Sequence, residues 1–369
     1  MALAHTLGFA RAAHDLQLEA LYTAWCLGER DAARLQAFVA CRRAEQWQAE
    51  CDAGMSLVSV GDGIGFDPVL TQALTFGLVP APRQSATEAQ PTLAALFDLA
   101  ARDGCRAGEA SRTTFGEAAL RQLAPLTAAS SFTLHSAWLL EAIKQAQALG
   151  HAVKPVLLGP LSYLWSSERA GAAFDPLTLI DRLLPLYDTL FNQLAAQGVE
   201  WVQIDEPILA QALPQAWKNA YERVYNMLQR APLKKLVATC HGALADNLGL
   251  AANLPVDGLH IDLVSAPEQY PTLVDRLPAY KILSLGVVSG GNAQPGDAAQ
   301  TQTLLRHAAA RLGERLWVAP SCPLPYGETA FVGAEETASS LARQKCREVT
   351  EWVEAVRAWE SAACARAAA

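Results

Sequence analysis

Two cysteines, an aspartate and a histidine stand where metal chemistry would be feasible. Cys240 ends one apolar run and is followed by His241, Asp262 ends another run, and Cys322 follows a third. Thiolate, carboxylate and imidazole groups are the ligands that tetrahedral zinc takes in proteins. We therefore predict a zinc site at Cys240 and Cys322, completed by Asp262 or His241. The alternative is that these are ordinary polar residues at strand ends, because neighbours such as Cys240 and His241 point to opposite sides of a regular strand.

A second candidate is the pair of carboxylates Asp205 and Glu206, which closes a run reading Trp-Val-Gln-Ile. Carboxylates at the end of an apolar run are expensive to bury unless they bind something. One of them could hold a substrate amine. Alternatively, the pair could cap the following helix or form an ion pair with an arginine.

The elements that must position these residues are eight short apolar or β-branched runs. Each is about as long as a buried parallel strand. The predicted strands are 5–9, 57–61, 153–159, 199–205, 235–240, 258–262, 281–288 and 316–321. His5 and His260 lie inside these strands and are expected to be hydrogen-bonded interior residues.

Segments of helical composition separate the predicted strands, at 15–50, 177–197, 298–312 and 335–363. Eight alternations of strand and helix predict an α/β fold, a single (β/α)8 TIM barrel spanning 1–369. A doubly wound open sheet would show a glycine-rich phosphate loop after its first strand, and none is present. The long interval between strands two and three predicts additional helices there, one of them at 92–102.

In such a barrel, function belongs to the carboxyl ends of the strands. Arg11 and Asp62 follow the first two predicted strands, so they join the candidates named above. All of these side chains are expected on one face of the barrel.

The charge of the chain excludes several kinds of partner. Its 369 residues carry 29 Lys and Arg against 37 Asp and Glu, which gives 29 − 37 = −8 and no basic block. We therefore expect neither a nucleic acid nor a membrane as partner. The start lacks a basic stretch leading into an apolar one, which indicates a cytoplasmic protein. In that compartment the eight cysteines should be thiols.

Several segments resemble cobalamin-independent methionine synthase, a two-barrel enzyme that moves a methyl group from a folate to homocysteine. The similarity covers nearly the whole chain and is closest to the amino-terminal barrel of that family. The segments that carry it are 5–11, 57–62, 150–160, 198–207, 254–263 and 316–322. The resemblance implies a TIM barrel, no cobalamin, and a thiol and a methyl donor as substrates. It also implies that Asp62, Asp205, Glu206 and Arg11 contact substrate.

The chain departs from the family pattern at two places. The basic cluster that would hold a folate's glutamate tail is reduced to Arg11, because 12–19 is nearly devoid of positive charge. The family's catalytic barrel carries zinc on a His-x-Cys, a Glu and a Cys. Here Cys240, Asp262 and Cys322 stand at what look like three of these positions, and Ala238 replaces the histidine.

Two hypotheses follow. In the first, the chain is a stand-alone methyltransferase in methionine biosynthesis, with zinc holding a homocysteine-like thiol as thiolate. In the second, it is a catalytically silent barrel that binds a folate-like ligand or docks on a separate catalytic barrel. Cys240 together with Asp262 favours the first hypothesis, whereas Ala238 and the resemblance to the non-catalytic half favour the second.

The loss of positive charge at 12–19 predicts weak discrimination between mono- and triglutamate folates. Each charge-assisted contact to a glutamate carboxylate would contribute about 1.5–3 kcal/mol, and few such contacts remain. Titration of both folates against the purified protein measures the difference. A triglutamate form that binds a hundredfold more tightly would contradict the prediction and indicate another basic site.

Overall fold

The fold is an α/β arrangement whose strands carry the candidate residues. A computed structural model describes residues 1–11, 16–62, 67–79, 93–104, 115–171, 174–292, 296–326 and 337–367. Its strands are β1 (Leu3–Ala4), β2 (Phe9–Arg11), β3 (Val58–Val60), β4 (Val153–Leu158), β5 (Trp201–Asp205), β6 (Lys234–Ala238), β7 (Gly258–Asp262), β8 (Ile282–Val288), β9 (Leu316–Pro320) and β10 (Leu324–Tyr326).

Eight of these strands form one parallel sheet in the order β1-β9-β8-β7-β6-β5-β4-β3. A parallel bridge between His5 and Leu57 links the two edges of this sheet. Parallel pairing throughout confirms the predicted α/β class, and the curled eight-stranded sheet is consistent with a TIM-like barrel. The assignment of the whole of 1–369 to one domain stays a prediction.

Helices alternate with these strands. They are α1 (Leu16–Cys26), α2 (Ala32–Asp52), α3 (Pro68–Thr75), α4 (Leu93–Gly104), α5 (Phe115–Gln122), α6 (Ala137–Ala148), α7 (Pro160–Ser166), α8 (Ile180–Ala196), α9 (Gln215–Leu228), α10 (Leu248–Asn253), α11 (Gln269–Arg276), α12 (Ala298–Leu312) and α13 (Ala338–Ala367). Four of them, α3 to α6, lie between β3 and β4. Part of this group packs with α1 around Tyr22, Trp25 and Phe97, in a hydrophobic cluster separate from the main core.

The interior of the barrel is layered. At the amino-terminal end, Trp201 on β5 and Trp317 on β9 lie 4.7 Å apart between ring centroids. These strands are four positions apart in the sheet order, so their contact crosses the interior. Leu236 joins them in a small apolar cluster that fills this end. Among the described residues, this cluster closes the amino-terminal end of the interior, so we expect a ligand to approach from the carboxyl ends of the strands.

Buried lysines complete the amino-terminal end outside this apolar cluster. Lys235 Nζ donates to the carbonyls of Ala231 and Leu233 after α9, and Lys281 Nζ donates to those of Ala252, within α10, and Leu254, just after it. Backbone carbonyls thus supply the hydrogen-bond acceptors that each buried ammonium group needs. These two lysines therefore have structural roles.

The seam between β1 and β3 is completed by side chains of α2. Beyond the His5–Leu57 bridge, the Ser59 N–H donates to Glu50 Oε2 at 3.0 Å, and Trp47 Nε1 donates to the Ser59 carbonyl at 3.0 Å. The Thr6 hydroxyl also donates to Glu50. Side chains thus take the place of the strand pairing that is missing there, because buried backbone groups need partners.

The predicted first strand at 5–9 is wrong in its position. The barrel strand is β1, followed by the bridge at His5, whereas β2 pairs with β10 in a separate two-stranded sheet. Gly8 explains the break, since its φ of +93° turns the chain away from the barrel between the two short strands.

The expectation of eight thiols is also wrong, because Cys26 forms a disulfide bond. Cys26 is the last residue of α1, whereas the cysteines that are free are Cys41, Cys51, Cys240, Cys322 and Cys346. The spacing of cysteines along a sequence does not reveal which sulfurs the fold brings together.

Among the described helices, none combines the length and the hydropathy that crossing a membrane requires.

The position of Glu50 predicts the pH dependence of stability. Burial raises the pKa of Glu50 from 4.5 to about 8, against hydrogen bonds from Thr6 and Ser59 that lower it. A raised carboxyl pKa adds stability that is fully present below pH 4.5 and is lost as the pH rises to about 8. Glu50→Gln cannot ionise, so its free energy of unfolding should fall less between pH 5 and pH 8, by on the order of 1–3 kcal/mol.

Urea denaturation at both pH values measures this difference. The control is Glu141→Gln, which changes an exposed carboxylate on α6. Asp62 and Asp205 titrate in the same window, so some pH dependence should remain in Glu50→Gln. An unchanged fall in stability would show that Glu50 does not titrate as its burial implies.

Candidate functional site

Asp205 ends β5 at the carboxyl-terminal mouth of the barrel and is half-buried. Its Oδ1 accepts a hydrogen bond of 2.7 Å from Gln203 Nε2, two residues earlier on the same face of the strand. The amide oxygen of Gln203 accepts from Lys154 Nζ on the neighbouring strand β4. Asp205 thus ends a chain of hydrogen bonds that begins at a buried ammonium group.

Asp62 lies after β3 and is also half-buried. Its Oδ2 accepts a 2.6 Å hydrogen bond from the Phe9 N–H, which fastens the chain after Gly8 to the barrel. Burial raises the pKa of Asp62 to about 6, against the backbone hydrogen bond from Phe9 and the charges of Lys154 and Arg43, which lower it. Asp62 therefore has a structural role as well as a place at the mouth.

Lys154 is the positive centre of this region and is fully buried. Burial lowers its pKa to about 8, whereas Asp205, Glu50 and Asp62 favour its charged form. Three carboxylates thus surround one lysine, with Arg43 adding a second positive charge beside Asp62. A cationic ligand at the mouth would favour the ionised forms of Asp62 and Asp205, whose pKa values burial raises.

Glu206 faces away from the mouth. It is fully buried and accepts hydrogen bonds from the Ser162 N–H and hydroxyl, at 2.9 and 2.6 Å, and from the hydroxyls of Tyr221 and Tyr225. The close approach of its carboxylate leaves no room for a side chain at Gly159, where an added Cβ would lie 2.1 Å from Oε1. This carboxylate holds α7 and α9 against the strands, and the structure does not bring it together with Asp205.

Cys240 was predicted at the end of the fifth barrel strand, which is β6 in the structure, and it lies just beyond that strand. β6 ends at Ala238, and the Thr239 hydroxyl donates to the His260 carbonyl at 2.8 Å. Cys240 is half-buried, and burial, followed by the charges of Asp205, Cys322 and Asp262, raises the pKa of its thiol. His241 is exposed and has a φ of +65°, so the chain bends there.

The other two candidate ligands are buried nearby. Asp262 is 1% exposed, and its Oδ1 accepts from the Val264 and Ser265 N–H groups at 3.0 and 2.9 Å. Burial raises the pKa of the Cys322 thiol, and its sulfur lies close to Gly290. Cys322 and Asp262 both act on the pKa of the Cys240 thiol, and Asp262 acts on that of Cys322, which indicates that the three side chains are neighbours.

These residues do not fit a zinc ion as they stand. Within the described ranges, no three His, Cys, Asp or Glu side chains are grouped so that they could hold a metal. One oxygen of Asp262 is already committed to two backbone N–H groups, and His241 faces solvent. The backbone of Arg11 pairs with Tyr326, but its side chain lies outside the described residues.

A polar layer beneath the mouth connects several strands. His5 Nε2 and His260 Nδ1 both lie within hydrogen-bond distance of the Ser284 hydroxyl, at 2.7 and 2.8 Å. This confirms that the two histidines are hydrogen-bonded interior residues. Lys154 and Gln203 belong to the same layer and were missed by the sequence analysis. A signal was available, because each is a polar residue inside an otherwise apolar strand.

The barrel architecture and the acidic mouth define a class of protein, that of parallel α/β barrels with a polar site at the carboxyl ends of their strands. Within that class, residues 3–313 match the family model described as cobalamin-independent synthase, N-terminal domain. The chain belongs to this family. Membership agrees with the prediction that no cobalamin is used.

Solved structures of similar size share this fold. One is a protein from Listeria monocytogenes assigned as a vitamin-B12-independent methionine synthase, with 13% identity, a TM-score of 0.61, and coverage of 96% of this chain and 99% of that chain. Another is a B12-independent methionine synthase from Shewanella sp. W3-18-1 in complex with selenomethionine, with 14% identity, a TM-score of 0.61, and coverage of 98% of each chain. At these identities the likeness shows the fold alone.

The geometry of the candidate ligands predicts that the purified protein holds far less than one zinc per chain. Elemental analysis after expression in zinc-supplemented medium measures the content. The comparison set is Cys240→Ser, Cys322→Ser and, as a control away from the mouth, Cys346→Ser on α13. Zinc near one per chain that both mouth variants lose and the control keeps would overturn this prediction and support the zinc site proposed from sequence.

Proposed function

We propose that this protein is a methionine-synthase-like methyltransferase whose single barrel binds an amino-acid thiol such as homocysteine at the mouth. The observation that carries the proposal is the half-buried Asp205 carboxylate, held by Gln203 above the buried Lys154. A carboxylate in this position suits the ammonium group of an amino acid, since charge-assisted hydrogen bonds are stronger where water is partly excluded. Family membership supports the same chemistry.

The likeness to single-barrel proteins gives further support. The Shewanella methionine synthase was solved with selenomethionine, a methylated amino acid, and its chain is matched over almost its full length. A barrel of this size can therefore bind a methylated amino acid, the kind of product that such a reaction forms. By this analogy, Asp205 and Asp62 would lie nearest the amino acid in the present chain.

In the proposed reaction, the sulfur of the acceptor takes a methyl group from the donor. A new sulfur–carbon bond forms, the bond between the methyl group and the donor breaks, and its electron pair stays with the donor. The thiol gives up its proton, and the donor atom that keeps the electron pair takes up a proton, so that the products are a thioether and the demethylated donor. The chain's own residues would bind and orient the acceptor, and no step of this reaction depends on zinc.

The second candidate is a catalytically silent barrel that binds a folate-like ligand or docks on a separate catalytic barrel. Two observations favour it. The matching family model is that of the amino-terminal domain, and the described residues contain no group able to hold a metal. Both candidates place the protein in methionine biosynthesis, with the cytoplasm as the proposed compartment.

Methyl transfer by the purified chain separates the two candidates. The protein is incubated with L-homocysteine and 5-methyltetrahydrofolate in mono- and triglutamate forms, and methionine is measured by mass spectrometry. Methionine formed by this chain alone supports the methyltransferase. Folate binding without methionine formation would favour the silent barrel.

Binding of L-selenomethionine tests the role of Asp205. Asp205→Asn should weaken binding by about ten- to a hundredfold, because one charge-assisted contact contributes about 1.5–3 kcal/mol. Isothermal titration calorimetry measures the affinity. The matched control is Asp188→Asn on the exposed face of α8, which should bind like the wild type. Equal affinities for Asp205→Asn and wild type would remove Asp205 from the ligand site.

A further inference from the structure

The side-chain amide of Gln203 joins two charges that do not hydrogen-bond to each other. Its oxygen accepts from the Lys154 ammonium group, and its nitrogen donates to Asp205 Oδ1 and to the Leu7 carbonyl, at 2.7 and 3.0 Å. An ammonium group can only donate and a carboxylate can only accept, so only one orientation of the amide satisfies both. Gln203 is fully buried, which keeps this arrangement free of competing water.

Lys154 supplies the favourable charge in this arrangement. Its side chain is fully buried, and its described hydrogen-bond partner is Gln203. An ammonium group without solvent acts over a longer distance than one in water, because the local dielectric constant is low. Its positive field therefore reaches Asp205 directly as well as through the polarised amide.

Asp205 needs this support because its other neighbours oppose ionisation. Burial raises the pKa of Asp205 to about 7, and the charges of Asp62 and Glu206 act in the same direction. The Cys240 thiol, just beyond the end of the neighbouring strand β6, is close enough for the charge of Asp205 to raise its pKa. The groups that favour the carboxylate form are Gln203 and Lys154.

We propose that Lys154 and Gln203 are positioning residues that favour the ionised form of the Asp205 carboxylate and fix it at the mouth of the barrel, where it binds the ammonium group of an amino-acid ligand. The ligand part rests on the proposed function, whereas the state of Asp205 does not. Removing Lys154 should leave Asp205 protonated at neutral pH. Removing the Gln203 amide should have the same effect to a smaller extent.

The first experiment needs no ligand. The full chain is labelled with ¹³Cγ-aspartate, the Asp205 signal is assigned with Asp205→Asn, and its pH titration is followed by NMR. Lys154→Met should raise the midpoint by about one pH unit or more, and Gln203→Leu by less. The control Lys281→Met removes a buried lysine at the opposite end of the barrel and should leave the midpoint unchanged. An unchanged midpoint in Lys154→Met would overturn the proposal.

If Lys154→Met does not fold, Gln203→Leu decides the question. It replaces the amide by an apolar side chain of similar shape and leaves Lys154 in place. A raised Asp205 midpoint in this variant supports the proposal, and an unchanged one refutes it.

A second experiment connects the state of Asp205 to binding. Calorimetric titration with L-selenomethionine between pH 6 and pH 8.5 should show that Lys154→Met binds about tenfold more weakly than wild type at pH 7 and recovers part of the difference at pH 8.5. Equal affinity at pH 7 would overturn the link to binding. If the wild type does not bind at all, the proposed function fails, whereas the positioning of Asp205 still stands or falls on the NMR titration.

Discussion

The buried ammonium group of Lys154 is the interaction on which the upper half of the barrel depends. A cation removed from water costs several kcal/mol unless opposite charges surround it. Here the carboxylates come from different parts of the chain, with Glu50 on α2, Asp62 after β3 and Asp205 at the end of β5. Satisfying one charge therefore ties a helix and two strands to the centre of the barrel.

The need to balance the charge of Lys154 also explains why Glu50 lies at the seam between β1 and β3. Glu50 lies where β1 and β3 are joined by a single bridge, and it accepts from Thr6 and from the Ser59 N–H. Because Gly8 and the Asp62 contact draw the chain after β1 aside, the upper part of β3 has no strand partner on that edge. A carboxyl group can accept from the orphaned N–H and, when ionised, favour the charged form of the buried lysine, which an apolar side chain of α2 could not do.

Much of this fold is predictable from sequence, because its strands are short apolar runs ended by polar residues. Seven of the eight barrel strands overlap the predicted runs, from β3 to β9. The first strand is misplaced because its two residues pair only briefly before the chain turns. The position of Asp205 at the mouth follows from where its strand ends. The interior position of Lys154 could have been predicted, because it is a charged residue within an otherwise apolar strand.

The rest of the site could not be predicted, because it depends on contacts between distant segments. Glu206 is adjacent to Asp205, yet it lies behind the sheet among Tyr221, Tyr225 and Ser162. The sequence alone does not show that the side chains of these two neighbouring residues point in opposite directions. Glu50 gives no signal either, since a glutamate on a helix is normally solvated, and only the seam makes it an interior residue.

The charge balance of the mouth narrows the kind of ligand that it can accept. Asp62, Asp205 and Asp262 lie there or beside it, and the raised pKa values of the Cys240 and Cys322 thiols keep both cysteines neutral, so the charge of the mouth comes from the carboxylates. An anionic group, such as a folate's glutamate tail, would meet carboxylates at this mouth. A ligand ammonium group would instead meet carboxylates of opposite charge and reduce the repulsion between them. The electrostatics of the barrel therefore favour the amino end of an amino acid over a polyglutamate chain as the group bound deepest in the site.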